Sequence, residues 1–148
     1  MENLPFVDEH RVHVDSTPER AWGGVMRLAY GRLSRPAPAA LAAVWRLEPV
    51  SGFMVVKEVA PKCLVLRGGH RFSRYELAFE IDPVPEGVTL SARTSALFLG
   101  VAGSAYRSLV IGSGGHAWVV RRMLRHIARS AQSGPHHQRA IREKRRQR

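Results

Sequence analysis

The chain has 148 residues, 45% of them hydrophobic, one cysteine and a formal net charge of +11; that length suits one domain with a single core, and one cysteine excludes an internal disulfide framework. No apolar run nears the ~20 residues that span a membrane, and Met1-Glu2-Asn3 opens no basic-then-apolar leader, so a soluble cytoplasmic protein is expected. The charge is uneven: residues 1–103 hold 12 Lys/Arg against 11 Asp/Glu, residues 104–131 hold five arginines and no acid, and residues 132–148 hold six basic residues against Glu143.

Val12 and Val14 alternate with His13, so residues 6–14 read as a first strand. Asp15-Ser16-Thr17-Pro18-Glu19 starts a helix, with Ser16 and Glu19 at capping-box spacing and Pro18 in the first turn. This helix runs to about Tyr30, with Trp22, Val25 and Ala29 on its apolar stripe and Arg20 and Arg27 facing away. A Pro/Ala-rich loop leads to a short second helix at residues 39–47, which Glu48-Pro49-Val50-Ser51-Gly52 breaks. From Phe53 the period changes to two. Strands are expected at 53–59, 63–68, 72–82 and 88–98. In the third, Tyr75, Leu77, Phe79 and Ile81 alternate with Arg74, Glu76 and Glu80; in the fourth, Leu90, Ala92, Thr94, Ala96 and Phe98 share one face. Such alternation marks an antiparallel sheet with one buried face, and the short connections make it a meander.

Residues 103–132 read as one long amphipathic helix that covers this sheet. Tyr106, Val110, Ser113, Ala117, Val120, Leu124, Ile127 and Ala128 form one stripe, and Arg107, Arg122, Arg125 and Arg129 lie opposite. Ser113 and Ala117 are small enough to leave space beneath the middle of the stripe. Gly112, Gly114 and Gly115 interrupt the same region, each costing a helix about 1 kcal/mol against Ala, and mark a kink or a close approach. Trp118 and Ile111 share the arginine face, where an indole stacks on a guanidinium or meets a membrane interface, another subunit or a base. Beyond Gln132 no apolar period survives, so the expected organisation is a domain over residues 1–131 and a disordered basic tail over 132–148. Cys63 opens an apolar run and is expected to be a buried, inert thiol.

The Val-x-Val strand leading into Ser16-Thr17-Pro18-Glu19-x-x-Trp22, the Gly69-His70-Arg71-Phe72-Ser73-x-Tyr75 segment, and Tyr106-Arg107 ahead of the last helix carry a resemblance. With the order strand, two helices, meander, long helix, residues 6–131 resemble the START-like superfamily of polyketide cyclase/dehydrase and lipid-transport proteins. The resemblance implies an α+β helix-grip fold, in which a curved antiparallel sheet wraps the C-terminal helix over a ligand cavity. It also implies apolar ligands such as lipids, sterols or polyketides, with cyclisation or hydrolysis in some members. The four strands counted after the second helix are fewer than such folds usually have. Either a strand lies near residues 44–47, or the sheet is shorter and its cavity smaller.

The expected cavity wall is Tyr75, Leu77, Phe79, Leu90, Ala92, Thr94, Tyr106, Val110, Ser113 and Ala117, with Arg107 placed to pair an anionic ligand group. Tyr75, His70 and His116 are the candidates for acid–base chemistry, and each also reads as a structural side chain. No metal site and no cofactor are expected. His10 and His13 lack ligand spacing, and Gly112-Ser113-Gly114-Gly115 has neither a Walker lysine nor a following ribose acid. Three functions follow from these residues. The first is binding of a small hydrophobic or amphipathic molecule. The second is a cyclase- or dehydratase-like enzyme in the same cavity. The third is nucleic-acid or anionic-membrane binding through Arg122, Arg125, Arg129 and the tail. Oligomeric assembly is open.

Overall fold

A computed structural model describes residues 3–49 and 51–133. Along the chain it has β1 (Phe6–Val14), α1 (Pro18–Leu28) extended by a π-helical turn (Ala29–Leu33), α2 (Ala39–Trp45), β2 (Met54–Val59), β3 (Cys63–His70), β4 (Ser73–Val84), β5 (Gly87–Phe98), α3 (Gly100–Val110) and α4 (Gly115–Gln132). The strands form one antiparallel sheet in the order β1-β5-β4-β3-β2. No strand forms at residues 44–47, where α2 ends at Trp45 and Arg46 turns the chain at φ of +50°; an isolated bridge from Glu48 to Gly69 extends the sheet there. The sheet is therefore the shorter of the two alternatives.

Register turns the period-two pattern into a core. Leu66 lies beside Leu77 and Leu64 beside Phe79; Phe79 pairs with Ala92, Ile81 with Leu90, and Val14 with Val88. All of these side chains are buried. Fully burying each large one contributes about 1.5–3 kcal/mol. Two helices cover this half of the sheet. On α1, Ala21, Val25 and Leu28 face inward; on α4, Val120, Leu124, Ile127, Ala128 and Ala131 do. The helices cross closely at Gly24, where an added Cβ would stand 3.0 Å from Ile127 Cγ2 and 3.2 Å from its carbonyl oxygen. Ser16 Oγ donates to the Ala131 carbonyl at 3.3 Å, and Arg27 Nη2 donates to Ser130 Oγ at 2.5 Å. Ser16 is thus not the helix cap. Thr17 takes that place, its Oγ1 accepting from the Arg20 N–H at 3.4 Å.

The C-terminal helix is two helices, not one. Gly114 adopts φ of +74°, and a Cβ at Gly112 would collide with the Ser108 carbonyl. The glycine run therefore breaks the helix outright, where the sequence suggested a kink. Only α4 keeps the buried stripe. On α3, Gly103 alone is buried, pressed against Phe72 and Phe98 backbone, where a Cβ would stand 2.8 Å from Phe72 O; Val101 and Leu109 are exposed. Trp118 is exposed among arginines as expected, with the Arg122 guanidinium carbon 5.4 Å from its ring centroid. No helix of the described residues is long and apolar enough to cross a membrane. All but the first two residues of the expected tail, 134–148, lie outside the described residues.

Candidate ligand-binding cavity

Where α3 gives way to α4 at the glycine break, the helix side chains do not fill the space above the adjoining parts of β3, β4 and β5. A cavity of about 280 Å³ remains there. Its sheet wall is His70, Ser73, Tyr75, Leu77, Thr94, Ala96 and Phe98; its helix wall is Tyr106, Val110 and Ile111 from α3 and the break, and His116, Val119, Val120 and Met123 from α4. Leu33, Phe53 and Glu76 complete it.

One end is aromatic. The short turn between β3 and β4 sets His70 opposite Ser73, so both point to the concave face. His70 packs edge-on to Tyr106 at 4.9 Å and to Trp45 at 5.6 Å between ring centroids. Its Nδ1 accepts from the Phe72 N–H at 3.3 Å. That assigns the ring proton to Nε2, which stands 3.1 Å from Ser73 Oγ and donates to it. Burial lowers the pKa of His70, which favours the neutral ring. Tyr75 Oη donates to the Gly52 carbonyl at 2.7 Å. This contact exists because Gly68 has no side chain: a Cβ there would overlap the Gly52 carbonyl. Burial first, and the neighbouring Tyr106 second, push the Tyr75 phenol up to about 12; burial also raises Tyr106. Both are therefore neutral hydroxyls at physiological pH.

The other end is polar. His116, in the first turn of α4, brings Nε2 to 3.1 Å from Thr94 Oγ1 and 3.4 Å from Asp8 Oδ1. Asp8 Oδ2 meets His10 Nε2 at 3.1 Å, and Arg121 Nε reaches His10 Nδ1 at 3.4 Å. Asp8 Oδ1 is buried and makes no hydrogen bond among the described residues. The β1–β5 register explains the cluster. Asp8 sits beside Thr94 and His10 beside Ala92, so Asp8, His10, Val12 and Val14 share the concave face. The His116 imidazole and the Thr94 hydroxyl stand together at the cavity wall with the Asp8 carboxylate behind them, a geometry suited to moving a proton or fixing a polar ligand group.

Of the residues expected on the wall, Tyr75, Leu77, Thr94, Tyr106 and Val110 are there, joined by His70 and His116. Phe79, Leu90 and Ala92 are instead in the closed core, because α1 and α4 pack directly on that half of the sheet. Ser113 is exposed at the helix break, accepting from the Gly115 N–H at 3.3 Å, and Ala117 stands off the wall. Arg107 lies outside, its guanidinium carbon 5.9 Å from the Phe98 ring centroid. Ile111, assigned to the arginine face, lines the cavity from the end of α3. Asp8 and His10 were missed, although the alternation that puts Val12 and Val14 inward also puts them inward. Leu33, Ala96, Val119 and Met123 were missed with them. Cys63 is half-buried, and burial pushes its thiol up, which keeps it protonated and unreactive.

No protein-family model and no curated protein sequence matches the chain. Solved structures do match its shape. A protein of Rhizobium leguminosarum superposes with a TM-score of 0.57 at 10% identity, over 89% of this chain and 98% of that one. CalU16 from Micromonospora echinospora superposes with a TM-score of 0.51 at 11% identity, over 91% and 81%. The di-domain ARO/CYC StfQ from the steffimycin biosynthetic pathway gives 0.50 at 15% identity, over 84% of this chain and 50% of its own. The chain thus spans about half the length of StfQ. At such identities the likeness shows the fold alone. That fold is a helix-grip α+β fold, in line with the START-like resemblance of the sequence.

Proposed function

We propose that this is a START-like protein that binds one small hydrophobic or amphipathic molecule in the cavity between the sheet and the helix break. The observation that carries this reading is an apolar-walled space of about 280 Å³ with a polar group set at each end. It lies just below the ~300–1,000 Å³ range of small-molecule pockets, which favours short-chain or one- to two-ring compounds over sterols. Burying about 200 Å² of ligand surface would give about 5 kcal/mol gross, reduced by the cost of association. His70, Ser73 and Tyr106 would orient a carbonyl or phenol at the aromatic end. Native mass spectrometry of the purified protein, followed by denaturing extraction, tests the reading. A 1:1 apolar passenger supports it; a bare protein that also takes up no added naphthalene refutes it.

A second reading is an enzyme acting in the same cavity, favoured by the Asp8–His116–Thr94 arrangement and by the ARO/CYC name of one fold neighbour. Of the three acid–base candidates, Tyr75 is the weakest, because its hydroxyl is engaged by Gly52. In that reading His116→Gln abolishes turnover of a cavity-bound compound and leaves its binding intact. Unchanged turnover would exclude His116 as the acid or base.

A further inference from the structure

A second concavity of about 520 Å³ runs along the outside of α4 against α1 and its π-helical turn. Arg32, Arg122, Arg125 and Arg129 rim it, with His126. Among the described residues none of these four guanidinium groups forms a salt bridge, and no carboxylate lines the groove. Four uncompensated guanidiniums in one groove repel one another, and an anion on the site would relieve that repulsion. Leu33, Val119 and Met123 supply apolar lining between the arginines, and the same three side chains line the cavity. The cavity and the basic groove thus share part of their lining, and Val119 in that shared part is half-exposed.

We infer that the ligand is an anionic amphiphile, its apolar body in the cavity and its carboxylate or phosphate held in the groove by Arg32, Arg122, Arg125 and Arg129. The inference rests on the cavity reading above and specifies the ligand class. A molecule leaving the cavity past Leu33, Val119 and Met123 emerges directly among the guanidiniums, which are suited to bidentate recognition of both oxyanions. A single-stranded nucleic acid fits the groove less well. Among the described residues Trp118 and the smaller His126 imidazole are the rings that line it, where such sites rely on a series of aromatic platforms. Trp118 is also already covered on one face by Arg122.

The test is calorimetric titration of the full-length protein with decanoate, decyl phosphate and decanol at low and at moderate salt. The expected result is that both anions bind one to one, at least tenfold tighter than decanol, and that salt narrows the difference. Arg122→Gln/Arg125→Gln/Arg129→Gln should bring decanoate down to the decanol affinity while decanol binding is unchanged. Arg122→Glu, a single change on an exposed face, should reverse the preference on its own. Equal affinities for decanol and decanoate in the wild type would overturn the inference and leave the cavity reading standing; no binding of any of the three would overturn both. Retention of the anion preference by the triple variant would also overturn it. So would binding to phosphatidylglycerol vesicles or to an oligothymidylate with no binding of monomeric decanoate, since the groove would then be a docking surface and not the end of a ligand site.

Discussion

Ala96→Leu separates a true cavity from a merely loose region of core. Ala96 is 8% exposed, pairs with Tyr75 across the sheet, and faces the open space. The change adds three carbons, worth about 2.4 kcal/mol of transfer free energy if the space accepts them. Ordering the new side chain costs about 0.5–1 kcal/mol. The net is a stabilisation of about 1.5 kcal/mol, or roughly 3–6 °C in Tm for a chain of this size. Binding should move the other way, because the added isobutyl group occupies ligand volume; naphthalene affinity should fall at least tenfold. Phe79→Ala is the control, since Phe79 lies in the closed core and its truncation should cost about 3–5 kcal/mol. Urea denaturation gives both stabilities, and calorimetry gives the affinity. If Ala96→Leu destabilised the protein by 1 kcal/mol or more, no room would exist where the cavity is placed. If it stabilised the protein and left binding intact, the probe would be bound elsewhere.

Other outcomes follow from single contacts. Tyr75→Phe removes the hydrogen bond to Gly52 and should cost about 0.5–1.5 kcal/mol in urea denaturation. In wild-type protein, an ultraviolet pH titration should find one tyrosine whose phenolate forms only near pH 12, and Tyr75→Phe should delete that step. Gly68→Ala drives a methyl into the Gly52 carbonyl and should cost roughly 3 kcal/mol; a neutral result would mean that the loop carrying Gly52 does not close on β3. His70 favours its neutral form in the fold, because burial lowers its pKa from the ordinary 6.5. Between those two values the unfolded chain binds a proton that the folded chain refuses. The contribution of His70 is therefore full above the unfolded value and lost as pH falls through it toward the folded one. Tm measured from about pH 8 to about pH 5 should fall less steeply for His70→Gln than for the wild type; parallel curves would mean that His70 is not shielded from water.

Most of the architecture was legible because it rests on short-range periodicity. Alternation in Tyr75–Ile81 and Leu90–Phe98 placed β4 and β5 and chose their buried face, and the Pro18 signal placed α1. The site was only half legible, for two physical reasons. Helical periodicity assumes an unbroken helix, and the step at Gly112–Gly114 resets the angle, which moved Ser113 outward and took Ala117 off the wall. Which part of a buried sheet face stays open also depends on where the covering helices land. Phe79 and Leu90 have the same pattern as Tyr75 and Leu77, yet α1 and α4 cover the first pair and leave the second facing the cavity. Leu33 and Phe53 reach the cavity from irregular or edge positions that carry no period at all. The Asp8–His116 contact needs the β1–β5 register and the start of α4 together, and neither is fixed by local sequence.

The central claim is that this fold keeps a specific apolar space at the helix break, beside a closed core. Methyl NMR during naphthalene titration tests it most directly. The methyl signals of Leu77, Val110, Ile111, Val119 and Val120 should move together and saturate with one equivalent, while those of Leu64, Val88 and Leu90 stay fixed. Shifts confined to exposed Val101 and Leu109, or no saturable shift at all, would contradict the account.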